Sequence, residues 1–234
     1  MKSTDAVVPA GNTDFGFDNL DPANIQSADV INVVIAADTS TSVARYAAEF
    51  SKAYNDMKND LKTSHVSNQL FWSVAEFNDD ITNQTGFQPI ASVPDRNFQC
   101  GGSTALYRTT LTCLKNALNY RRVLEDSAIN CKTLIFVITD GDDMENASGK
   151  RAAAEVKKLV QELNQEERNF GSFTSILCGV GDNPKMFENA KNEMGFEHLV
   201  VVGDTPDQIR KMIGFISMSI SSTASGQGIS TANF

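Results

Sequence analysis

Three short segments of the 234-residue chain concentrate oxygen-bearing side chains. They read Asp38-Thr39-Ser40-Thr41-Ser42, Cys100-Gly101-Gly102-Ser103-Thr104 and Thr139-Asp140-Gly141-Asp142-Asp143. Carboxylates and hydroxyls in such loops suit binding better than catalysis. Phosphatases that use a strand-end aspartate need D-x-D-x-[TV], and here Ser40 stands where the second aspartate, the acid–base group, belongs. No G-x-x-x-x-G-K-[ST] loop offers a phosphate cradle. His65 and His198 are isolated from the candidate serines, so no Ser-His-Asp set is in view. The expectation is a protein that is not an enzyme, with a magnesium-dependent phosphohydrolase as the remote alternative.

The elements that must position these loops follow from hydrophobic periodicity. Residues 30–37 are almost continuously apolar and β-branched, as expected of a parallel strand covered on both faces, and the run ends at Asp38. Val43, Ala47, Phe50, Tyr54, Met57 and Leu61 then recur at helical spacing, with Ser40 or Ser42 near the helix start as a cap. A strand is expected over 69–77, a turn at Asn78-Asp79-Asp80, and an antiparallel edge strand over 85–93. Tyr107, Leu111, Leu114 and Leu118 mark a second helix, and 133–138 a buried strand that ends at Thr139-Asp140-Gly141. Further helices are expected over 148–168, 184–193 and 205–221, with strands over 173–179 and 197–202. This alternation predicts an α/β fold: a doubly wound, Rossmann-like, mostly parallel sheet with one antiparallel edge strand and helices on both faces. Ligands in such sheets bind outside the carboxyl ends of the strands, where the first and third loops lie.

The expected organisation is a polar, irregular leader over 1–28, one domain over 29–221 and a flexible polar tail over 222–234. Phe15 and Phe17 are candidates for pinning the leader to a surface. Net charge is -9, with 20 basic against 29 acidic residues. Nucleic-acid binding usually needs a basic stripe. The pairs Arg121-Arg122 and Lys150-Arg151 are short and read as solvated helix charges, so no nucleic-acid partner is expected. Mean hydropathy is -0.24, and no apolar run approaches the roughly 20 residues that span a bilayer, so membrane insertion is not expected. Lys2 is followed by polar residues rather than a signal-type apolar stretch, so the expected localisation is cytoplasmic. Cys100, Cys113, Cys131 and Cys178 form no C-x-x-C pair and read as core thiols rather than zinc ligands, with Cys100 the one to watch for exposure.

The three loops, in this order and on these elements, resemble the metal-ion-dependent adhesion site of von Willebrand factor A-type (VWA) domains. The pattern is D-x-S-x-S at Asp38–Ser42, G-G-x-T ending at Thr104, and T-D-G around Asp140, and the resemblance covers about residues 29–221. The chain is more loosely similar to intracellular bacterial VWA proteins associated with stress and tellurite resistance. The resemblance implies a divalent cation held at Asp38, Ser40, Ser42, Thr104 and Asp140. Ser40, Ser42 and Thr104 would supply hydroxyl oxygens, and Asp38 and Asp140 would act mainly through water. Oxygen donors with retained waters suit Mg²⁺ or Mn²⁺, with Ca²⁺ as a further option. An ion balanced in this way accepts one more anionic oxygen, so the implied function is metal-dependent binding of a protein that offers a Glu or Asp carboxylate. An alternative is an assembly subunit with a structural or vestigial metal site, docking through its termini. Gly101 and Gly102 would bring Thr104 close to the ion, and Gly141 would make the turn after Asp140. Thr41 and Val43 depart from the residues frequent at those positions, Gly and Met, without removing an oxygen. Asp142, Asp143 and Glu145 read as a solvated acidic loop, and Glu76, Asp79 and Asp80 as a strand end and hairpin turn. The last helix, with Ile209, Met212, Ile213, Ile216 and Ile220 inward, reads as a fixed core helix, with a register shift on ligand binding as the alternative.

Overall fold

The computed structural model describes residues 17–170 and 173–229, apart from the side chains of 165–170. Its strands are β1 (Asp29–Asp38), β2 (Leu70–Phe77), β3 (Ile81–Gln84), β4 (Gln88–Pro89), β5 (Asn130–Thr139), β6 (Phe173–Val180) and β7 (His198–Val202). The helices are α1 (Ala47–Thr63), α2 (Leu106–Asp126), α3 (Asn146–Phe170), α4 (Pro184–Met194) and α5 (Pro206–Ala224). The strands form one sheet in the order β3-β2-β1-β5-β6-β7, with β4 also paired to β2. The contacts of β1, β5, β6 and β7 are parallel, and only β3 and β4 run antiparallel to their neighbour. The fold class read from the pattern is the one observed.

The sheet is sandwiched because β1 buries both faces. Ile31, Val33, Ile35 and Ala37 pack with Phe50, Tyr54, Met57 and Leu61 of α1 and with Ile209, Met212 and Ile216 of α5. Val30, Val34 and Ala36 face the opposite core, with Leu114 and Leu118 of α2, Val156 and Val160 of α3, and Phe187 of α4. Full burial of one such aliphatic or aromatic side chain contributes about 1.5–3 kcal/mol, so the two cores fix how the strand ends line up. Two helices, α4 and α5, start at side-chain caps. Asn183 and Thr205 accept the backbone N–H groups of Met186 and Gln208, and a proline follows each cap. From β1 the chain steps to β2 on one side and later returns through α2 to β5 on the other. The strand order therefore reverses beside β1, and the crevice at this switch point opens at the carboxyl ends of β1 and β5.

Several local expectations need correction. The edge strand is not at 85–93 but at Ile81–Gln84, directly after the turn. Residues 85–93 hold only the two-residue β4 and a 3-10 turn at Ile90–Ser92. The first helix opens with a 3-10 turn at Thr41–Arg45 before α1, and Ser40 precedes that turn without a side-chain capping bond. The serines are turned to another use. Arg121 is not solvated: its side chain is buried, and its Nε donates to Glu125 Oε1 one helical turn on. Phe17 is buried in the α2–α3–α4 core, and Asn19 hydrogen-bonds both Asn116 and the backbone of Phe87. Phe15 and residues 230–234 lie outside the described residues. α5 runs to Ala224, past the expected end at 221, with Thr223 buried.

Candidate functional site

β1 delivers Asp38 to the crevice, 3% exposed. Both of its carboxylate oxygens are engaged. Oδ1 accepts the backbone N–H of Ser40 at 2.8 Å, and Oδ2 accepts the Thr139 hydroxyl at 2.7 Å. Burial pushes the Asp38 carboxyl above its usual range against these bonds, and the nearby Asp140 adds to the rise. The chain then turns so that the Ser40 and Ser42 hydroxyls stand 3.1 Å apart. Ser42 Oγ donates to Asp140 Oδ1 at 2.7 Å, joining the first loop to the third.

The glycine loop is laid across the first by backbone bonds. Gly101 N–H donates to Thr39 O at 2.8 Å, and the Thr41 N–H and hydroxyl both donate to Gly102 O, at 3.2 and 3.0 Å. Gly102 has φ 77°, a left-handed conformation that suits glycine. Thr104, buried, follows two residues on and accepts the Met144 N–H on its carbonyl at 2.9 Å. A Cβ built on Gly141 would stand 4.0 Å from the Thr104 hydroxyl, which places that hydroxyl beside the third loop. The structure thus brings Asp38, Ser40, Ser42, Thr104 and Asp140 to one end of the sheet.

Asp140 is the unusual member. Its side chain is 1% exposed, and Oδ2 has no hydrogen-bond donor. The nearest cation is Arg45, whose guanidinium lies 3.6 Å away and also reaches Asp204 Oδ2 at 3.3 Å. Burial raises the Asp140 carboxyl pKa, while Ser42 and Arg45 oppose the rise.

Of the surrounding acids, Asp142, Asp79 and Asp80 are exposed, while Asp143 and Glu145 are partly buried. Asp143 accepts the Tyr107 N–H at the start of α2 at 3.3 Å and the Glu145 N–H at 3.1 Å. Glu145 and Asp80 grip Arg108 from two sides, at 2.9 and 2.8 Å. Asp79 accepts the Ser103 N–H at 3.0 Å. Glu76 is no simple strand end: it forms a buried ion pair with Arg96 and also accepts from Asn83. Arg96 lies in the segment leading to the glycine loop, and its backbone N–H donates to Asn55 of α1. Arg45, Asp204, Arg96 and Arg108 were not singled out in the sequence. Arg45 had a readable signal, since it follows Ser42 by three residues on the same turn.

The two histidines are far from this end. His65 follows α1 and His198 opens β7, so both sit at the amino-terminal edge of the sheet. Among the described residues no three His, Cys, Asp or Glu side chains form a group that could hold a metal ion.

No protein-family model matches the chain, and no curated protein sequence does. Solved structures do. The pilus adhesin SpaC from Lactobacillus rhamnosus GG aligns with TM-score 0.59 and 12% identity over 88% of this chain and 32% of its own. The PilB minor pilin from Streptococcus sanguinis, crystallised as a D319A mutant, aligns with TM-score 0.55 and 12% identity over 86% of this chain and 63% of its own. The vWF domain of the type V pili tip protein Mfa5 from Porphyromonas gingivalis aligns with TM-score 0.48 and 10% identity, over 88% and 99%. The chain thus spans less than two thirds of the first two proteins. At such identities the likeness is one of fold alone. Among the described residues no helix is long and apolar enough to cross a membrane.

Proposed function

We propose that the chain is a protein-binding module whose crevice holds a divalent cation, Mg²⁺ or Mn²⁺, and through it a carboxylate of a partner protein. The observation that carries this reading is Asp140 Oδ2, a buried anionic oxygen without a hydrogen-bond donor, beside a pair of serine hydroxyls. A buried carboxylate oxygen that has an ionic neighbour, Arg45 at 3.6 Å, but no hydrogen-bond donor is costly, and a cation with its waters would relieve that cost. The donor set fits a hard ion: hydroxyls from Ser40, Ser42 and Thr104, with carboxylates from Asp38 and Asp140 to balance charge. Asp38 has both oxygens occupied by Ser40 N–H and Thr139, so its part is to hold the first loop and present negative charge. Asp140 orients Ser42 through one oxygen and leaves the other for the ion or its water. A bound cation would supply an electrophilic position that takes one anionic oxygen from outside. Two of the aligned structures are a pilus adhesin and a minor pilin, which agrees with a binding role. The placement of both histidines at the opposite edge of the sheet favours binding over acid–base catalysis.

The test is a direct titration with Mn²⁺ followed by partner capture in Mg²⁺ and in EDTA, for wild type and Asp38→Ala. Saturable Mn²⁺ uptake by wild type alone, with capture lost in EDTA, is expected. Equal capture with and without metal would sink the mechanism.

A further inference from the structure

Arg45 holds a position that the five-residue pattern does not explain. Its side chain leaves the 3-10 turn that also carries Ser42 and lies over the Tyr46 ring, 5.9 Å from the centroid. It is 54% exposed, yet one guanidinium nitrogen stands 3.6 Å from the buried Oδ2 of Asp140 and the other 3.3 Å from Asp204 Oδ2. The longer distance is an ionic approach and not a hydrogen bond, so Asp140 is neutralised in charge but not satisfied in bonding. Asp204 lies just before α5, after β7, and is itself 41% exposed. The guanidinium therefore has two carboxylates within reach, one deep and one at the rim.

We infer that Arg45 is a tethered cation that competes with the divalent ion for Asp140, with Asp204 as the acceptor that receives the guanidinium when the ion binds. This deepens the reading above and rests on it. A single positive charge a few ångströms from a dication is repelled strongly in a partly buried site. A long, half-exposed arginine can respond by moving, because Asp204 already holds its other nitrogen. Cation affinity is then set by an exchange, with Arg45 leaving Asp140 as the ion arrives. The same movement ties the ion to the residue at the entrance of α5, a link between the crevice and that helix through named charges.

The experiment is Mn²⁺ affinity, read from the electron paramagnetic signal of the free ion, for wild type, Arg45→Gln, Asp204→Asn and the double variant. Arg45→Lys and near-ultraviolet circular dichroism check that the fold and the charge are retained. Arg45→Gln is expected to bind Mn²⁺ about tenfold more tightly, a change of the size one nearby charge produces. Asp204→Asn alone is expected to weaken binding, and to lose most of that effect when Arg45 is already Gln. A second readout is the rate at which phenylglyoxal modifies Arg45, which should change on addition of Mn²⁺. Arg45→Gln binding no tighter than wild type overturns the inference, as does an Asp204→Asn effect of equal size in both backgrounds. If wild type and Arg45→Gln both fail to take up Mn²⁺, the metal-binding reading itself fails, and this inference goes with it.

Discussion

The Thr139 hydroxyl donates to Asp38 Oδ2 at 2.7 Å, from the last residue of β5 to the last residue of β1. Both residues are buried, with Thr139 at 0% exposure. This bond holds the two strand ends together at the floor of the crevice and lowers the Asp38 pKa against the burial that raises it. Thr139→Val keeps the shape and removes the donor. Leaving a buried acceptor unsatisfied costs about 1–3 kcal/mol, so urea unfolding should show a loss of that size. Thr139→Ser should recover most of it. Mn²⁺ affinity should fall in the valine variant, because Asp38 would be less readily ionised. Unchanged stability in Thr139→Val would show that the bond matters little.

Cation binding should also be visible in stability without any partner. A ligand that binds only the folded state stabilises it by about 2.7 kcal/mol at one hundred times its Kd. For a domain of this size that is a rise in Tm on the order of 5–10 °C. Mg²⁺ should raise the Tm of wild type, EDTA should reverse the rise, and Ser42→Ala should reduce it. The same Tm in Mg²⁺ and EDTA for wild type would argue against a folded-state cation site.

Much of the site was legible because its residues end segments with strong patterns. Asp38 closes an apolar run, and Asp140 follows another, so their place at the carboxyl edge followed from strand burial alone. The edge strand was misplaced because Ile81–Gln84 has one apolar residue and leans on β2 for its pairing, whereas Phe87, Ile90 and Val93 are buried in a segment that is largely irregular. Arg121 read as a surface charge because a helical pattern does not show that its guanidinium meets Glu125 under cover. Arg45 was within reach of the sequence, three residues after Ser42, but its pairing with Asp204 was not. That pairing joins the start of the first helical segment to the end of β7, and only the sheet order brings them together.

The buried pair Glu76 and Arg96 anchors the segment that leads to the glycine loop. Removing one partner leaves a buried charge, which typically costs about 3–5 kcal/mol. Arg96→Met should therefore lower stability by that order in urea unfolding. The double change Glu76→Leu with Arg96→Met should recover part of the loss, since the stranded charge is gone. A double variant as unstable as the single would mean that packing, and not charge, dominates there.

The thiols should differ in reactivity. Burial pushes Cys113 and Cys178 up to about 12 and Cys131 up to about 11. Cys100 is half-buried, and its thiol is also raised, by burial first and then by the negative charge of Asp38 and Asp140. The thiolate is the reactive form, so a raised pKa slows alkylation and makes the rate climb about tenfold per pH unit below it. Iodoacetamide at pH 8 should label native protein at Cys100 alone, slowly, and faster at pH 9. The other three should label only after unfolding, as peptide mass mapping would show. Rapid native labelling of Cys113 or Cys178 would contradict the burial.

The two glycines before Thr104 should respond differently to the same change. A Cβ on Gly101 meets nothing within 4 Å. A Cβ on Gly102 would collide with the Asp79 carboxylate, and its φ of 77° is strained for any residue with a side chain. Left-handed backbone costs an alanine about 1–2 kcal/mol, before Asp79 is pushed from the Ser103 N–H that it holds. Gly102→Ala should then lose roughly 2 kcal/mol or more and also weaken Mn²⁺ binding, because Thr104 follows two residues later on the same strained loop. Gly101→Ala should be neutral or slightly stabilising, through the lower entropy of the unfolded chain. Urea unfolding and Mn²⁺ titration of the two variants side by side decide the point. Equal behaviour of both would mean that the loop is free to adjust and that its backbone does not set the position of Thr104.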